Sequence, residues 1–158
     1  MPSILFICTA NICRSPMTAA LFRKILQEKG ISEGWRIESA GTWPLEGQPA
    51  VEKTQKVVRK RGMDISDHRS KGVNRHLMEA FDLILTMEKG QKEALMVEFP
   101  EYAEKIFLLS EMVDIFEEIE DPIGLSEEDF EDTANQIESY LSKGFEKIIA
   151  LTKIWSDN

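Results

Sequence analysis

A chain of 158 residues is long enough for one domain with a substantial core and too short for two comfortable ones. Its 42% hydrophobic and 30% charged residues are ordinary for a globular protein, and no apolar run approaches the length needed to cross a bilayer. The net charge of −9 repels polyanions, which argues against nucleic acid or an anionic membrane as a general partner.

Ser3 to Cys8 reads as a strand of the kind buried in a parallel sheet, since Ile4-Leu-Phe-Ile7 is apolar without alternation. Ser15-Pro16 opens a helix expected from Pro16 to Glu28, stopped by Lys29-Gly30. A second strand is expected from Trp35 to Ser39, with the Trp35 indole in the core. A helix follows from Pro49 to Arg61, stopped by Gly62, and a short one from Asn74 to Ala80. The remaining elements are a strand Leu83 to Thr86, a helix Gly90 to Glu98, a strand Ile106 to Leu108 and one long helix from about Glu128 to Trp155. Strands alternating with helices are the signature of crossover units on a parallel sheet, an α/β fold. In such sheets ligands bind beyond the carboxyl ends of the strands, which is where Cys8 falls, with Met87 and Leu108 expected on the same rim.

The N-terminus has no basic region ahead of its short apolar segment, which runs into Cys8 rather than a small-residue cleavage site, so the cytoplasm is the expected location. Both cysteines, Cys8 and Cys13, lie in one six-residue turn and cannot staple distant parts of the fold. With two histidines, His68 and His76, far in sequence from either cysteine, no metal-ligand spacing is present, and no metal or other cofactor is expected.

The turn from Cys8 to Ser15 joins a strand to a helix N-terminus, so its backbone N–H groups and the helix dipole converge on one spot. An anion there would lie over the Cys8 thiolate, within reach of a bidentate grip by Arg14. A Cys followed six positions later by Arg arises by chance in roughly one chain of this length in ten. Its placement between strand and helix, with Asn11 tolerant of positive φ in the turn, makes accident the minority explanation. Loop amides, the helix N-terminus, Arg14 and the Ser15 hydroxyl would all stabilise the thiolate, the form in which cysteine is a nucleophile. Taken alone, Cys8 could equally be a small buried apolar residue.

Cys8-Thr-Ala-Asn-Ile-Cys-Arg-Ser-Pro16 resembles the loop pattern Cys-x-Gly-Asn-x-Cys-Arg-Ser-Pro of the low-molecular-weight protein tyrosine phosphatases, with Ala10 where that family usually has Gly. The resemblance covers nearly the whole chain, through Glu38-Ser-Ala-Gly-Thr42, Asp67-His68-Arg69, Phe81-Asp-Leu-Ile-Leu-Thr-Met87 and a late Asp121-Pro122 pair. It implies a single-domain three-layer sandwich over residues 1–158, with a four-stranded parallel sheet of order 2-1-3-4, helices on both faces and the phosphate-binding loop after strand 1. It also implies that Cys8 is the nucleophile, that Arg14 grips the phosphate within a loop of Cys8, Thr9, Ala10, Asn11, Ile12, Cys13, Arg14 and Ser15, and that Asn11, Ser39 and His68 brace that loop.

Asp121 by sequence alone is part of an acidic surface run; the resemblance makes it the general acid, presented by a turn that Pro122 and Gly124 mark. Cys13 is either a packing thiol or a redox partner that traps an oxidised Cys8 as a disulfide. Trp43 is either a packing residue or one wall of a substrate slot, with Thr9 and Ile12 projecting from the loop beside it.

The activity expected is metal-independent hydrolysis of phosphomonoesters through a phosphocysteine intermediate. The partner expected is a phosphorylated protein, with inorganic phosphate as product. Phosphotyrosine is favoured because Ile12 is apolar where arginine-specific relatives carry Thr. Protein-arginine phosphatase activity is the alternative, since Asp121-Pro-Ile-Gly124 resembles the acid loop of those relatives and lacks paired tyrosines after Asp-Pro. Arsenate reduction is less expected because no shuttling cysteine lies outside the loop. A non-catalytic phosphate-binding module would not need both a nucleophile and an acid.

Overall fold

The computed structural model describes residues 1–156. Four parallel strands, β1 (Ser3–Cys8), β2 (Arg36–Gly41), β3 (Leu83–Thr86) and β4 (Ile106–Leu108), form one sheet in the order β2-β1-β3-β4. Around it lie α1 (Arg14–Glu28), α2 (Glu52–Arg59), α3 (Arg75–Ala80), α4 (Lys89–Glu98), α5 (Glu127–Lys143) and α6 (Phe145–Ser156). Two 3-10 segments, Pro100–Lys105 and Leu109–Val113, flank β4.

The sequence of β1 dictates the layering. Alternate side chains leave a strand on opposite faces, so Ile4, Phe6 and Cys8 join one core while Leu5 and Ile7 join the other. The first core is filled by α1, α2, α5 and α6, through residues such as Met17, Leu21, Phe22, Val58, Ile137 and Ile148. The second is filled by α3 and α4, through Leu77, Met78 and Leu95. Because every side chain of β1 is buried on one face or the other, its sequence shows no polar alternation.

Strands β1, β3 and β4 match the expected bounds. Strand β2 runs two residues further than expected, to Gly41, because Gly41 N–H donates to the Lys71 carbonyl and its own carbonyl accepts from Val73. Helix α2 starts at Glu52 rather than Pro49, since Val51 stays extended to donate its N–H to the Ile12 carbonyl at 2.9 Å. The single long C-terminal helix is in fact two. Gly144 interrupts it where a Cβ would stand 2.6 Å from Met112 Cβ and 2.8 Å from the Met112 carbonyl oxygen, so the chain passes the Leu109–Val113 segment only as glycine. The interruption turns the Phe145 ring toward Phe22, 6.2 Å between centroids.

Phe22 is the centre of the larger core, fully buried and in edge contact with Phe6 at 5.9 Å and Trp35 at 5.4 Å. Phe22→Ala is expected to destabilise the protein by about 3–5 kcal/mol, a large part of the ~5–15 kcal/mol typical of a domain. Urea unfolding followed by tryptophan fluorescence checks it.

Candidate functional site

The turn between β1 and α1 is held open by its carbonyls. Cys8 O accepts from Thr42 N–H at 3.0 Å, Thr9 O from Trp43 N–H at 2.9 Å, Ile12 O from Val51 N–H at 2.9 Å and Cys13 O from Met17 N–H at 3.2 Å. Asn11 O faces His68 Nε2 at 2.7 Å. In a planar trans peptide the C=O and the following N–H point in opposite directions. Five carbonyls anchored outward therefore aim the amides of Thr9, Ala10, Ile12, Cys13 and Arg14 at the middle of the turn. Helix α1 begins there, and its N-cap position Cys13 makes no side-chain cap bond, so the helix end adds its own field for an anion.

Asn11 makes this path possible. Its φ of +59° lies in the left-handed region, which asparagine tolerates better than most residues. Its Oδ1 accepts from Lys71 N–H at 2.9 Å, and its Nδ2 donates to Ser15 Oγ at 2.8 Å and Ser39 Oγ at 2.9 Å. With an acceptor site of Ser15 Oγ thus engaged, the hydroxyl proton is free to point at Cys8 Sγ, 3.0 Å away. His68 must carry its proton on Nε2, since the Asn11 carbonyl can only accept. The structure thus brings Asn11, Ser15, Ser39 and His68 together around Cys8.

Arg14 is almost wholly buried and enters the site from α1. Its Nη1 donates to Ile119 O at 2.7 Å and pairs with Glu88 Oε2 at 2.6 Å. Its Nη2 lies 3.8 Å from Asp121 Oδ2, and its Nε is buried without a partner. Asp121 accepts from Ile123 N–H at 3.1 Å and keeps a partly exposed carboxylate at the mouth. The loop that carries it is fastened at Ile119, a fully buried residue whose N–H donates to Met87 O at 2.9 Å.

Cys13, five residues from Cys8, packs into the core with Thr54 Oγ1 at 3.4 Å. Burial pushes its thiol up to about 12, against the opposing pull of the Thr54 hydroxyl, so it stays protonated at neutral pH. Trp43 is highly exposed and, with Ala10, Ile12, Leu45, Pro49 and Val51, lines a largely apolar cleft of about 540 Å³. Thr9 lies outside that cleft: its hydroxyl oxygen accepts from Gln91 Nε2 at 3.0 Å. The first turns of α2 also reach the segment after Asp121, where Lys53 Nζ donates to Leu125 O at 2.6 Å and Lys56 Nζ pairs with Glu127 at 2.8 Å.

Glu88, Gln91 and Gly41 are site residues that the sequence reading missed. Glu88 follows directly on the rim residue Met87, and Glu88-x-x-Gln91 is a capping-box pattern, a signal hidden by starting the helix at Gly90. Gly41 stands in the motif Glu38-Ser-Ala-Gly-Thr42 but was given no role; a Cβ there would collide with the Thr9 carbonyl oxygen, so only glycine lets β2 lie this close to the loop.

His68 titrates below its usual ~6.5, because it is half-buried and faces the cations Lys71, Arg23 and Arg69, which outweigh the favourable bond to the Asn11 carbonyl. The unfolded chain then binds this proton more readily than the folded one. Folding stability is fully present above pH ~6.5 and falls as pH drops through the lower folded value. Urea midpoints measured from pH 7.5 to 5.5 are expected to decline in the parent and to decline less steeply in His68→Gln.

The family model for low molecular weight phosphotyrosine protein phosphatase matches residues 3–153. The probable low molecular weight protein-tyrosine-phosphatase EpsP of Ralstonia solanacearum is 36% identical over 149 residues, 94% of this chain and 97% of that one. A protein-arginine-phosphatase of Geobacillus stearothermophilus is 32% identical over 146 residues, 92% of this chain and 95% of that one. The crystal structure of a low molecular weight protein tyrosine phosphatase from T. tengcongensis superposes with a TM-score of 0.87 at 37% identity, covering 93% of this chain and 99% of that one.

Proposed function

From the chain's membership of the low molecular weight phosphotyrosine protein phosphatase family, a family of cysteine-dependent hydrolases, we propose that it removes phosphate from phosphotyrosine in proteins and releases inorganic phosphate. The observation that carries this reading is Cys8 Sγ, 3.0 Å from the Ser15 hydroxyl, at the focus of a turn five of whose carbonyls are anchored outward. Inward amides and the Arg14 guanidinium suit the three non-bridging oxygens of a phosphoryl group, where charge spreads in the transition state.

In the first step the Cys8 thiolate attacks phosphorus, the bond to the tyrosine oxygen breaks, and Asp121 gives its proton to the departing phenolate. In the second, water attacks the phosphocysteine, Asp121 takes the water's proton, and the S–P bond breaks with return of the thiolate. Support for Asp121 is its carboxylate at the mouth, beside Arg14 Nη2. Tyrosine is preferred over arginine because the cleft beside the loop is walled by Ile12, Trp43 and Leu45, which suit an aromatic ring and offer no hydroxyl to a guanidinium. Protein-arginine phosphatase activity is the second reading, with the Asp121-Pro-Ile-Gly124 turn in its favour. Both cysteines are free, as expected of a reducing compartment, and we place the reaction in the cytoplasm.

The test compares kcat/KM for a phosphotyrosine peptide and a phosphoarginine peptide without added metal. A clear tyrosine preference is expected, with turnover abolished in Cys8→Ser and kcat lowered about 10²–10⁴-fold in Asp121→Ala, the usual worth of one positioned acid. Preference for phosphoarginine would replace the substrate assignment, and undiminished turnover in Cys8→Ser would sink the mechanism.

A further inference from the structure

The reaction above leaves one buried polar side chain at the mouth without a role. Gln91, 5% exposed in the first turn of α4, has its carboxamide fully engaged. Its Oε1 accepts from Met87 N–H at 2.9 Å and Glu88 N–H at 3.0 Å. Its Nε2 donates to Thr9 Oγ1 at 3.0 Å and Glu88 Oε2 at 3.2 Å. Two backbone donors fix which end is oxygen, so the nitrogen must face Thr9 and Glu88. The Glu88 oxygen it holds is the one that pairs with Arg14 Nη1.

The hydrogens on Arg14 then sort themselves. Nη1 carries two, and they are taken by Ile119 O and Glu88 Oε2. What remains is the edge made by Nε and Nη2, with Nε buried and unpaired. Two parallel N–H groups on one guanidinium edge are what a bidentate grip on a phosphate requires. Arginine has four side-chain torsions, and nothing intrinsic to it selects the rotamer that offers this edge.

We infer that Gln91 is a positioning residue for phosphate capture: by holding Glu88 it sets the rotamer of Arg14, and by holding Thr9 it ties the residue after the nucleophile to the same carboxamide. The inference rests on the phosphatase reading and deepens it. Gln91 touches neither substrate nor reacting atoms, and acts through Glu88 and Thr9. The matched donor and acceptor between positions 88 and 91, rather than the identity of either residue, is what does the positioning.

That distinction supplies the test. In Gln91→Glu the acceptor for the Met87 and Glu88 amides survives, so α4 keeps its cap, but two carboxylates now face each other and the donor to Glu88 is lost. In the double variant Glu88→Gln/Gln91→Glu the carboxamide and carboxylate exchange places. The carboxamide now at position 88 can then donate to the carboxylate now at position 91 while its oxygen accepts from Arg14, and the Thr9 hydroxyl can rotate to donate. Inhibition of p-nitrophenyl phosphate hydrolysis by inorganic phosphate is measured in each, with unfolding midpoints alongside.

The inhibition constant is expected to rise about tenfold or more in Gln91→Glu and in Gln91→Leu, as for loss of one charge-assisted hydrogen bond, and to return to within about threefold of the parent in the double variant. An unchanged inhibition constant in both single variants, with only the unfolding midpoint lowered, would reduce Gln91 to a helix cap and overturn the inference. So would a double variant no better than Gln91→Glu. A parent that neither hydrolyses p-nitrophenyl phosphate nor responds to phosphate would overturn the phosphatase reading, and this inference with it.

Discussion

Everything at the mouth depends on one constraint, that five peptide planes in the turn after β1 face the same way. A run of carbonyls turned outward is costly unless each finds a donor, because a buried unpaired carbonyl costs about as much as a lost hydrogen bond. The five donors come from four separate places: Thr42 and Trp43 after β2, His68, Val51 before α2 and Met17 in α1. No single segment could supply them. The loop therefore takes its shape only once β2, α2 and the His68 segment have docked, and the site is a product of tertiary structure even though its residues are contiguous in sequence.

The same economy separates the two thiols. Cys8 and Cys13 are both buried, but Cys8 ends a strand at the focus of the amides and faces a hydroxyl, while Cys13 is turned into the apolar core beside Thr54. Five residues of chain are enough to give identical side chains opposite environments. Arg14, one residue further, leaves that core again and links three segments, α1, the Glu88 cap of α4 and the Asp121 loop at Ile119.

How much of this the sequence disclosed follows from where the information lies. Strands β1, β3 and β4 were legible to the residue because their burial on both faces leaves an unbroken apolar run. The loop residues were legible because they are adjacent and chemically distinctive, and the family resemblance named their expected roles. Glu88 and Gln91 were not, since a glutamate and a glutamine on a helix look like solvated surface until Thr9 and Arg14 are seen beside them. Nor was the Ile119 carbonyl, a backbone atom whose importance no side chain announces. The break at Gly144 escaped for a different reason: the apolar period continues across it, and the atoms that forbid a side chain there, those of Met112 and the Tyr140 carbonyl, meet it only in the fold.

Helix α2 gives the mouth a mechanical character. Its start, through Val51, holds the turn after β1 at Ile12, and its first two turns, through Lys53 and Lys56, hold the segment after Asp121 at Leu125 and Glu127. Both lips thus hang from a single two-turn rod, and just past its end Arg61 ties the chain to α5 through Glu131 and Glu138. An aperture built this way has its width set by how α2 docks on its neighbours. In the phosphatase reading, that width decides which phosphorylated side chains reach Cys8, by their length and girth.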